Sequence, residues 1–400
     1  MKKILFIYTD WAASEARRKS GGFGGVTYYR VMKPVKHLRA LGYDVTVVGE
    51  DLKKYGETAE QLWPTVFSQF DAVVVKQIDN QEAAAPMFFY AERYGKPIIM
   101  DLDDDYFNVK PDMPAWEFYK PGSPKRSTFA AALSLVDGLI VSTQPLKDSY
   151  QKILKEAYQI DMPIYVCPNG NDRGDWKSVK KRRPKKGVVK IGYAGSITHN
   201  SDIAMVVPAL RVILERYPQV KIEVLGALDA DSYGKIFHGW PDSLTDRIEA
   251  KGGTHSWDGY PDLLCSQRWD IGIAPLVDDV FTRGKSHIKW MEYTMAGVAT
   301  VASPTYPYSQ PIFDVPVIED GKTGFLCRST DEWVMVLSSL IENADARQEI
   351  VQNAYKAISE NWQYEKWAPK WADAIEDILC NFQTRRTKTE SSRTASASAR

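Results

Sequence analysis

Lys285, Lys289 and Glu292 stand in one stretch, Phe281–Ser303 (FTRGKSHIKWMEYTMAGVATVAS), which reads as a loop, a helix and a strand. At about 100° per residue these three charges and Ala296 fall within roughly 60° of one another on the predicted helix. Ile288, Met291 and Met295 form the neighbouring apolar stripe. The ordinary explanation for such a face is a solvated Glu–Lys pair. A chemical explanation competes with it. The preceding DIGIAPLVDD reads as a strand broken at Pro275, so the helix begins near a strand's carboxyl end, where open α/β sheets bind ligands. Gly284 and Ser286 at the helix start offer backbone N–H groups to an anion. Two lysines suit a diphosphate, and a carboxylate two turns further in suits the paired hydroxyls of a ribose.

Three other stretches carry candidate chemistry. In IGYAGSITHNSDI (Ile191–Ile203) a strand ends at Gly195 and Ser196, whose small size lets a phosphate approach the backbone. His199 could donate to a phosphate or a sugar hydroxyl, or be only a polar loop residue. SGGFGGVTYYR (Ser20–Arg30) resembles a phosphate loop in glycine content but lacks both GxGxxG and the P-loop lysine. Arg30 could reach an anion there, or be an ordinary surface arginine. DLDDDYF (Asp101–Phe107) sets four carboxylates within five residues at a strand end. That density suits a Mg²⁺ or Mn²⁺ site or a carboxylate acting on an acceptor hydroxyl, and some of the aspartates could simply cap a turn.

The elements that must position these residues follow from the apolar runs. KILFIY, DVTVVG, DAVVVK, PIIMDL, GLIVST and PIYVCP alternate with amphipathic stretches such as Thr27–Leu41 and Phe129–Leu135. Continuous apolar strands separated by helices predict a parallel sheet covered on both faces. KSVKKRRPKKG (Lys177–Gly187) interrupts the pattern as a basic linker. The alternation then resumes with VVKIGYAG, KIEVLG, DIGIAPL and VATVAS. The expected organisation is an N-terminal Rossmann-like domain over 1–176, the linker 177–187, and a second Rossmann-like domain over 188–360. A tryptophan-rich amphipathic helix, with Pro369 as its expected kink, occupies 361–382, and a Ser/Thr/Arg-rich tail over 383–400 is expected to be disordered.

Composition narrows the function classes. Among 400 residues, Lys+Arg and Asp+Glu are both 51, which argues against a general polyanion binder. Cys167, Cys265, Cys327 and Cys380 show no CxxC spacing, so neither a zinc site nor a disulfide framework is indicated, and a reduced, cytoplasmic setting is expected. MKKILFIYTDW is too short in its apolar run for a signal peptide, and no stretch approaches the ~20 apolar residues of a membrane span. Arg17, Arg18, Lys19, Lys33 and Lys36 are candidates for peripheral membrane contact.

GKSHIKWMEYTMAGVATVAS resembles the donor-site segment of GT-B glycosyltransferases, particularly the retaining family 4 group. GYAGSITHNSDI is similar to the turn that opens their nucleotide-binding domain. GGFGGVTYYRVMKPVKHLRALGYDVTVV resembles their N-terminal glycine loop and first helix, and CPNGND the segment that closes their N-terminal domain. The resemblance covers about residues 1 to 380. It implies a GT-B fold, two Rossmann-like doubly wound domains facing a cleft, and a terminal helix that packs back on the N-terminal domain. It further implies that Glu292 binds the ribose and that the Gly195–Ser196 turn meets the diphosphate. Lys285 or Lys289 would neutralise the leaving phosphate, and Gly24 and Gly25 would approach the donor from the opposite domain. Two positions depart from the pattern. Gly284 stands where many members carry the first of two glutamates, and Asp101–Asp105 stand where many place a histidine.

The expected activity is transfer of a sugar from a UDP- or GDP-sugar to an acceptor hydroxyl, with retention and without a metal or other cofactor. Asp103, Asp104 and Lys285 are the candidate catalytic residues. Gly24, Gly25, Gly195, Ser196, His199, Lys285, Ser286, Lys289 and Glu292 are the candidate donor-binding residues. The acceptor is left open among glycan, lipid-linked, protein and modified nucleic-acid hydroxyls. The alternatives are a sugar-nucleotide epimerase or phosphorylase on the same scaffold, or a nucleotide- or nucleic-acid-binding module without turnover.

Overall fold

The computed structural model describes residues 1–8, 24–176, 187–196, 199–252 and 257–398. Much of the glycine loop and residues 177–186 of the basic linker lie outside the described residues. Six short strands, β1 (Lys3–Ile7), β2 (Asp44–Val48), β3 (Ala72–Lys76), β4 (Ile98–Leu102), β5 (Gly138–Val141) and β6 (Ile164–Val166), form one sheet in the order β2-β1-β3-β4-β5-β6. All of its pairs are parallel. Every residue of β3, β4 and β5 is buried, as a sheet covered on both faces requires. A second parallel sheet holds β7 (Val189–Ala194), β8 (Val220–Leu225), β9 (Ile248–Lys251), β10 (Ile271–Ala274), β11 (Ala299–Ala302) and β12 (Phe325–Leu326). Its order is β12-β11-β10-β7-β8-β9. The connections therefore run to opposite sides from the β7/β10 neighbours, which opens a crevice at their carboxyl ends.

Helices of eight or more residues cover the sheets. We number them α1 (25–40), α2 (Ala59–Gln69), α3 (Gln81–Tyr94), α4 (Pro124–Leu133), α5 (Gln144–Tyr158), α6 (Asn200–Arg216), α7 (Tyr260–Gln267), α8 (Ile288–Met295), α9 (Thr330–Glu342), α10 (Ala344–Asn361) and α11 (Tyr364–Ser398). Within α1, Tyr28–Met32 forms a π-helical turn, a rare geometry that is frequent at functional sites.

Two glycines let α8 settle on the second sheet. Gly192 in β7 and Gly272 in β10 are register partners. A Cβ on the first would strike the Trp269 ring at 1.8 Å, and one on the second the Tyr293 ring at 2.5 Å. With both rings lying on the backbone, the Tyr293 hydroxyl accepts from the Ala194 N–H at 2.9 Å and donates to the Ile273 carbonyl at 3.2 Å. Tyr293 thereby ties α8 to both strands of the crevice.

The chain crosses between domains twice. After β6, the Asn171 N–H donates to the Trp362 carbonyl at 2.6 Å, and the Asn171 carbonyl accepts from the Tyr364 N–H at 2.7 Å. Beyond that point α11 lies on the first sheet, where Tyr364, Trp371, Ile375 and Ile378 share a core with Ile4, Phe6, Val31 and Ile99. Asn361 ends α10, so the crossing helix starts three residues later than the sequence pattern suggests. The helix also continues to Ser398, a correction to the disordered tail expected over 383–400. No proline or glycine follows Pro369 to stop it. No helix among the described residues is long and apolar enough to cross a membrane. The four cysteines are free.

Candidate functional site

A cleft of about 470 Å³ opens between the carboxyl ends of the two sheets, within the usual range for small-molecule sites. Gly24, Gly25, Asp103, Asp104, Gly195, Ser196, His199, Lys285, Ser286, Lys289 and Glu292 all line it. Residues separated by more than 260 positions therefore meet at one surface. Tyr29, Arg30, Ser142, Asn169, Trp257 and Tyr260 line it too. Apart from Arg30, none of these six carries a local sequence signal.

The C-terminal wall is built on α8. Glu292 is buried and accepts hydrogen bonds from the Tyr29 hydroxyl at 3.1 Å and the Tyr260 hydroxyl at 3.0 Å. Burial pushes its carboxyl up to about 7, against the opposing pull of Tyr260, Lys289 and Tyr29. Burial likewise brings the Lys289 ammonium down to about 8, against the nearby Glu292. The Lys289 Nζ lies over the Tyr193 ring, 5.4 Å from its centre, a cation–π contact that compensates part of the lost hydration.

Lys285 is not on that helix. A short helix, Val280–Arg283, ends at Gly284, and α8 begins only at Ile288. This corrects the single helical face read from the sequence: Gly284 and Ser286 break the run, and His287 stands at the N-cap position of α8 without a side-chain cap bond. The Gly284 and Lys285 N–H groups are also already engaged, with the Phe281 and Thr282 carbonyls, so Gly284 does not offer its amide to an anion. The loop is docked on the opposite domain instead. The Thr143 hydroxyl donates to the Gly284 carbonyl at 2.8 Å, the Asn169 amide donates to the Ser286 hydroxyl at 3.0 Å, and Lys285 pairs with Asp104. A Cβ at Gly284 would lie 3.2 Å from the Phe281 carbonyl oxygen and 3.4 Å from Leu146, so a larger residue would need its own loop to give by a few tenths of an ångström. His287 is fully buried with its ring 4.0 Å from that of Trp362, and burial holds it neutral by bringing its pKa down to about 3.

His199 sits at the start of α6 with Nδ1 2.8 Å from an Asp202 oxygen. Asp202 in turn accepts from the Val277 N–H at 2.9 Å, which ties the β7 turn to the segment after β10. Burial, helped by Lys289, brings His199 down to about 4, so the ring is neutral at pH 7. With the Nδ1 proton given to a carboxylate, Nε2 can only accept. The ring then suits a sugar hydroxyl and not a phosphate oxygen. The Gly195 N–H is bonded to the Leu225 carbonyl at 3.1 Å, and a Cβ there would meet the Tyr193 ring at 2.8 Å. Glycine is therefore required by packing at this turn.

On the N-terminal wall the four aspartates diverge. Asp101 is buried and takes both prongs of Arg30, at 2.5–3.2 Å, while Arg30 also donates to the Cys167 carbonyl and lies over the Trp371 ring. Asp103 lies 3.8 Å from Lys76, Asp104 pairs with Lys285, and Asp105 accepts from Ser149 and Asn108. Among the described residues no cluster of three or more such ligands could hold a metal ion. The carboxylates of this stretch point to separate partners. Arg30 is committed to Asp101 and is not an anion receptor. Lys33, a candidate for membrane contact, is likewise buried against Asp172 and Asp175. Arg17, Arg18 and Lys19 lie outside the described residues.

Two parallel doubly wound domains facing a cleft define the GT-B fold. Residues 207–373 match the family model described as glycosyl transferase-like. No curated protein matches the sequence. Among solved structures, a glycosyltransferase from Rickettsia africae ESF-5 superposes with a TM-score of 0.61 at 12% identity, covering 94% of this chain and 98% of that one. The sucrose-phosphate synthase of Thermosynechococcus elongatus gives 0.62 at 13%, covering 95% and 100%. Anabaena HepE, solved with UDP and glucose, gives 0.62 at 14%, covering 94% and 100%. The chain has the GT-B fold, and its residues 207–373 are similar to the glycosyl transferase-like family.

Proposed function

We propose that the cleft binds a UDP- or GDP-sugar and transfers the sugar, with retention, to an acceptor hydroxyl without help from a metal ion. The observation that carries this reading is the convergence of Lys285, Lys289 and Glu292 with the Gly24–Gly25 and Gly195–Ser196 backbones on one cleft. A diphosphate beside the two ammonium groups and the start of α8 meets positive charge from side chains and helix dipole together. Glu292 beyond them accepts from the ribose hydroxyls. HepE, with UDP and glucose in its structure, supports the choice of a nucleotide-sugar on a similar fold.

In the transfer the bond between the anomeric carbon and the diphosphate oxygen breaks, and the acceptor oxygen bonds to that carbon on the same face. The acceptor proton goes to the departing phosphate oxygen. Lys285 and Lys289 stabilise the charge that develops on the diphosphate, electrostatic stabilisation of the kind that usually dominates such catalysis. Asp103 and Asp104 orient the acceptor hydroxyl from the opposite wall. His199 accepts from a hydroxyl of the donor sugar.

A thermal-shift panel of UDP, GDP, ADP, CMP and their sugar conjugates, with and without EDTA, tests the reading by mass action on the folded state. The expected result is a shift by one nucleoside diphosphate and its sugar that EDTA leaves in place. A shift that EDTA removes would overturn metal independence. No shift with any of them would overturn the donor assignment.

A further inference from the structure

The structure assigns Asp104 and Lys285 a second role, as an exchange latch in which a nucleoside diphosphate displaces the Asp104 carboxylate from the Lys285 ammonium. This inference rests on reading the cleft as a nucleotide-sugar site. Asp104 follows β4 in the N-terminal domain, and Lys285 lies in the loop before α8 in the C-terminal domain, so their ion pair ties the two walls together inside the cleft. Lys285 is thus held by a carboxylate at the place where a diphosphate would need it.

Three features make this pair the part that exchanges. The backbones on either side are fixed. Thr143 holds the Gly284 carbonyl, Asn169 holds the Ser286 side chain, and the Tyr150 hydroxyl donates to the Asp104 carbonyl at 2.8 Å. What remains mobile is the flexible four-carbon stem of the lysine. The pair is also more open than its neighbours. The side chains of Lys285 and Asp104 are 20% and 29% exposed, against 1% each for Arg30 and Asp101. A part-exposed ion pair is held weakly and yields to a stronger anion. A diphosphate is that anion: it carries more charge than one carboxylate and offers more acceptor oxygens.

Once the diphosphate takes the ammonium, the Asp104 carboxylate is released on the acceptor side of the cleft, where it can accept from the incoming hydroxyl. Until then the carboxylate is committed to Lys285. No covalent step is involved; one ammonium changes its anionic partner.

The test is isothermal titration of UDP and GDP into four full-length proteins: wild type, Asp104→Asn, Lys285→Gln and the double variant. Removing the competing carboxylate is expected to tighten nucleoside diphosphate binding about tenfold while Lys285 is present. In the Lys285→Gln background the same substitution is expected to give no gain. Asp104→Ala serves as a second removal of the carboxylate, and a melting curve checks the fold of each variant. Unchanged or weaker binding in Asp104→Asn would overturn the latch. An equal gain in both backgrounds would also overturn it, because simple repulsion of the ligand would then suffice. Failure of wild type to bind any nucleoside diphosphate would instead strike the donor reading itself, and the latch with it.

Discussion

The two walls of the cleft treat their charges differently. On the N-terminal wall every aspartate of DLDDD has a protein partner: Arg30 for Asp101, Lys76 for Asp103, Lys285 for Asp104, and Ser149 with Asn108 for Asp105. On the C-terminal wall Glu292 is met by two neutral phenols, and Lys289 lies over an aromatic ring. The first wall compensates its own charges and gains rigidity. The second leaves an acid and a base desolvated, with pKa values brought toward each other, to about 7 and about 8. Perturbed groups of this kind gather where a ligand completes the compensation. The comparison separates charges that compensate one another from charges that the proposed donor would compensate.

The sharpest way to break this comparison is Asp101→Asn. It leaves the Arg30 guanidinium buried without its anion, and loss of about 3–5 kcal/mol of stability is expected in urea unfolding. A loss below about 1 kcal/mol would mean that the N-terminal wall is not compensated as described. On the other wall Lys289→Ala and Glu292→Ala are expected to lower nucleoside diphosphate affinity about a hundredfold, close to 2.7 kcal/mol. Lys289→Ala should keep its melting temperature, because it removes a desolvated charge, whereas Glu292→Ala leaves the Tyr29 and Tyr260 hydroxyls without their acceptor and should cost about 1–3 kcal/mol. Strong destabilisation with unchanged affinity would reverse the assignment of roles.

The acid and base of that wall should also show in the pH profile. Below about 7 Glu292 holds its proton and accepts poorly from a ribose, and above about 8 Lys289 loses its charge. Affinity for the nucleotide is expected to peak between these values, with Glu292→Gln removing the acid limb. The stability sign is opposite to that of a salt-bridged carboxylate. Between the ordinary carboxylate value and about 7, the folded state keeps a proton that the unfolded chain has released. This group therefore makes stability fall as pH rises through that window, and Glu292→Gln should remove that contribution, leaving the opposite one from the buried His199 and His287. The smallest effect is expected from Thr143→Val, which deletes one hydrogen bond between the loop before α8 and the opposite domain. A cost of about 1 kcal/mol should appear as weaker closure in small-angle scattering with the nucleotide bound.

Much of the scaffold is legible in the sequence because its signals are local. The apolar runs from KILFIY to PIYVCP are β1–β6, and Gly195, Lys289 and Glu292 follow from strand ends and helical spacing. β9 and β12 leave no such signal: Ile248–Lys251 carries two charged residues among four, and Phe325–Leu326 is only two residues long. The helical face that Lys285 and Lys289 share on paper does not exist, because periodicity cannot see the break that Gly284 and Ser286 introduce. Partnerships across the chain are not legible at all. Arg30 and Asp101 lie 71 positions apart and Tyr29 and Glu292 lie 263 apart. Nothing in either local stretch says that an arginine near a glycine loop will be buried against a strand aspartate.

The placement of α11 has a consequence for biosynthesis. Trp371, Ile375 and Ile378 complete a core whose other members include Ile4, Phe6 and Val74, and Ile378 sits so close to Gly138 that an added Cβ there would lie 2.6 Å from its Cδ1. A ribosome makes β1–β6 first and α11 only after the whole of the second sheet. The part of that face not covered by α1, through Val31, Val35 and Leu38, must therefore wait through the synthesis of an entire domain. The domain that folds first in the order of translation is the one that closes last, and the nascent chain presents an apolar surface for chaperones throughout that interval.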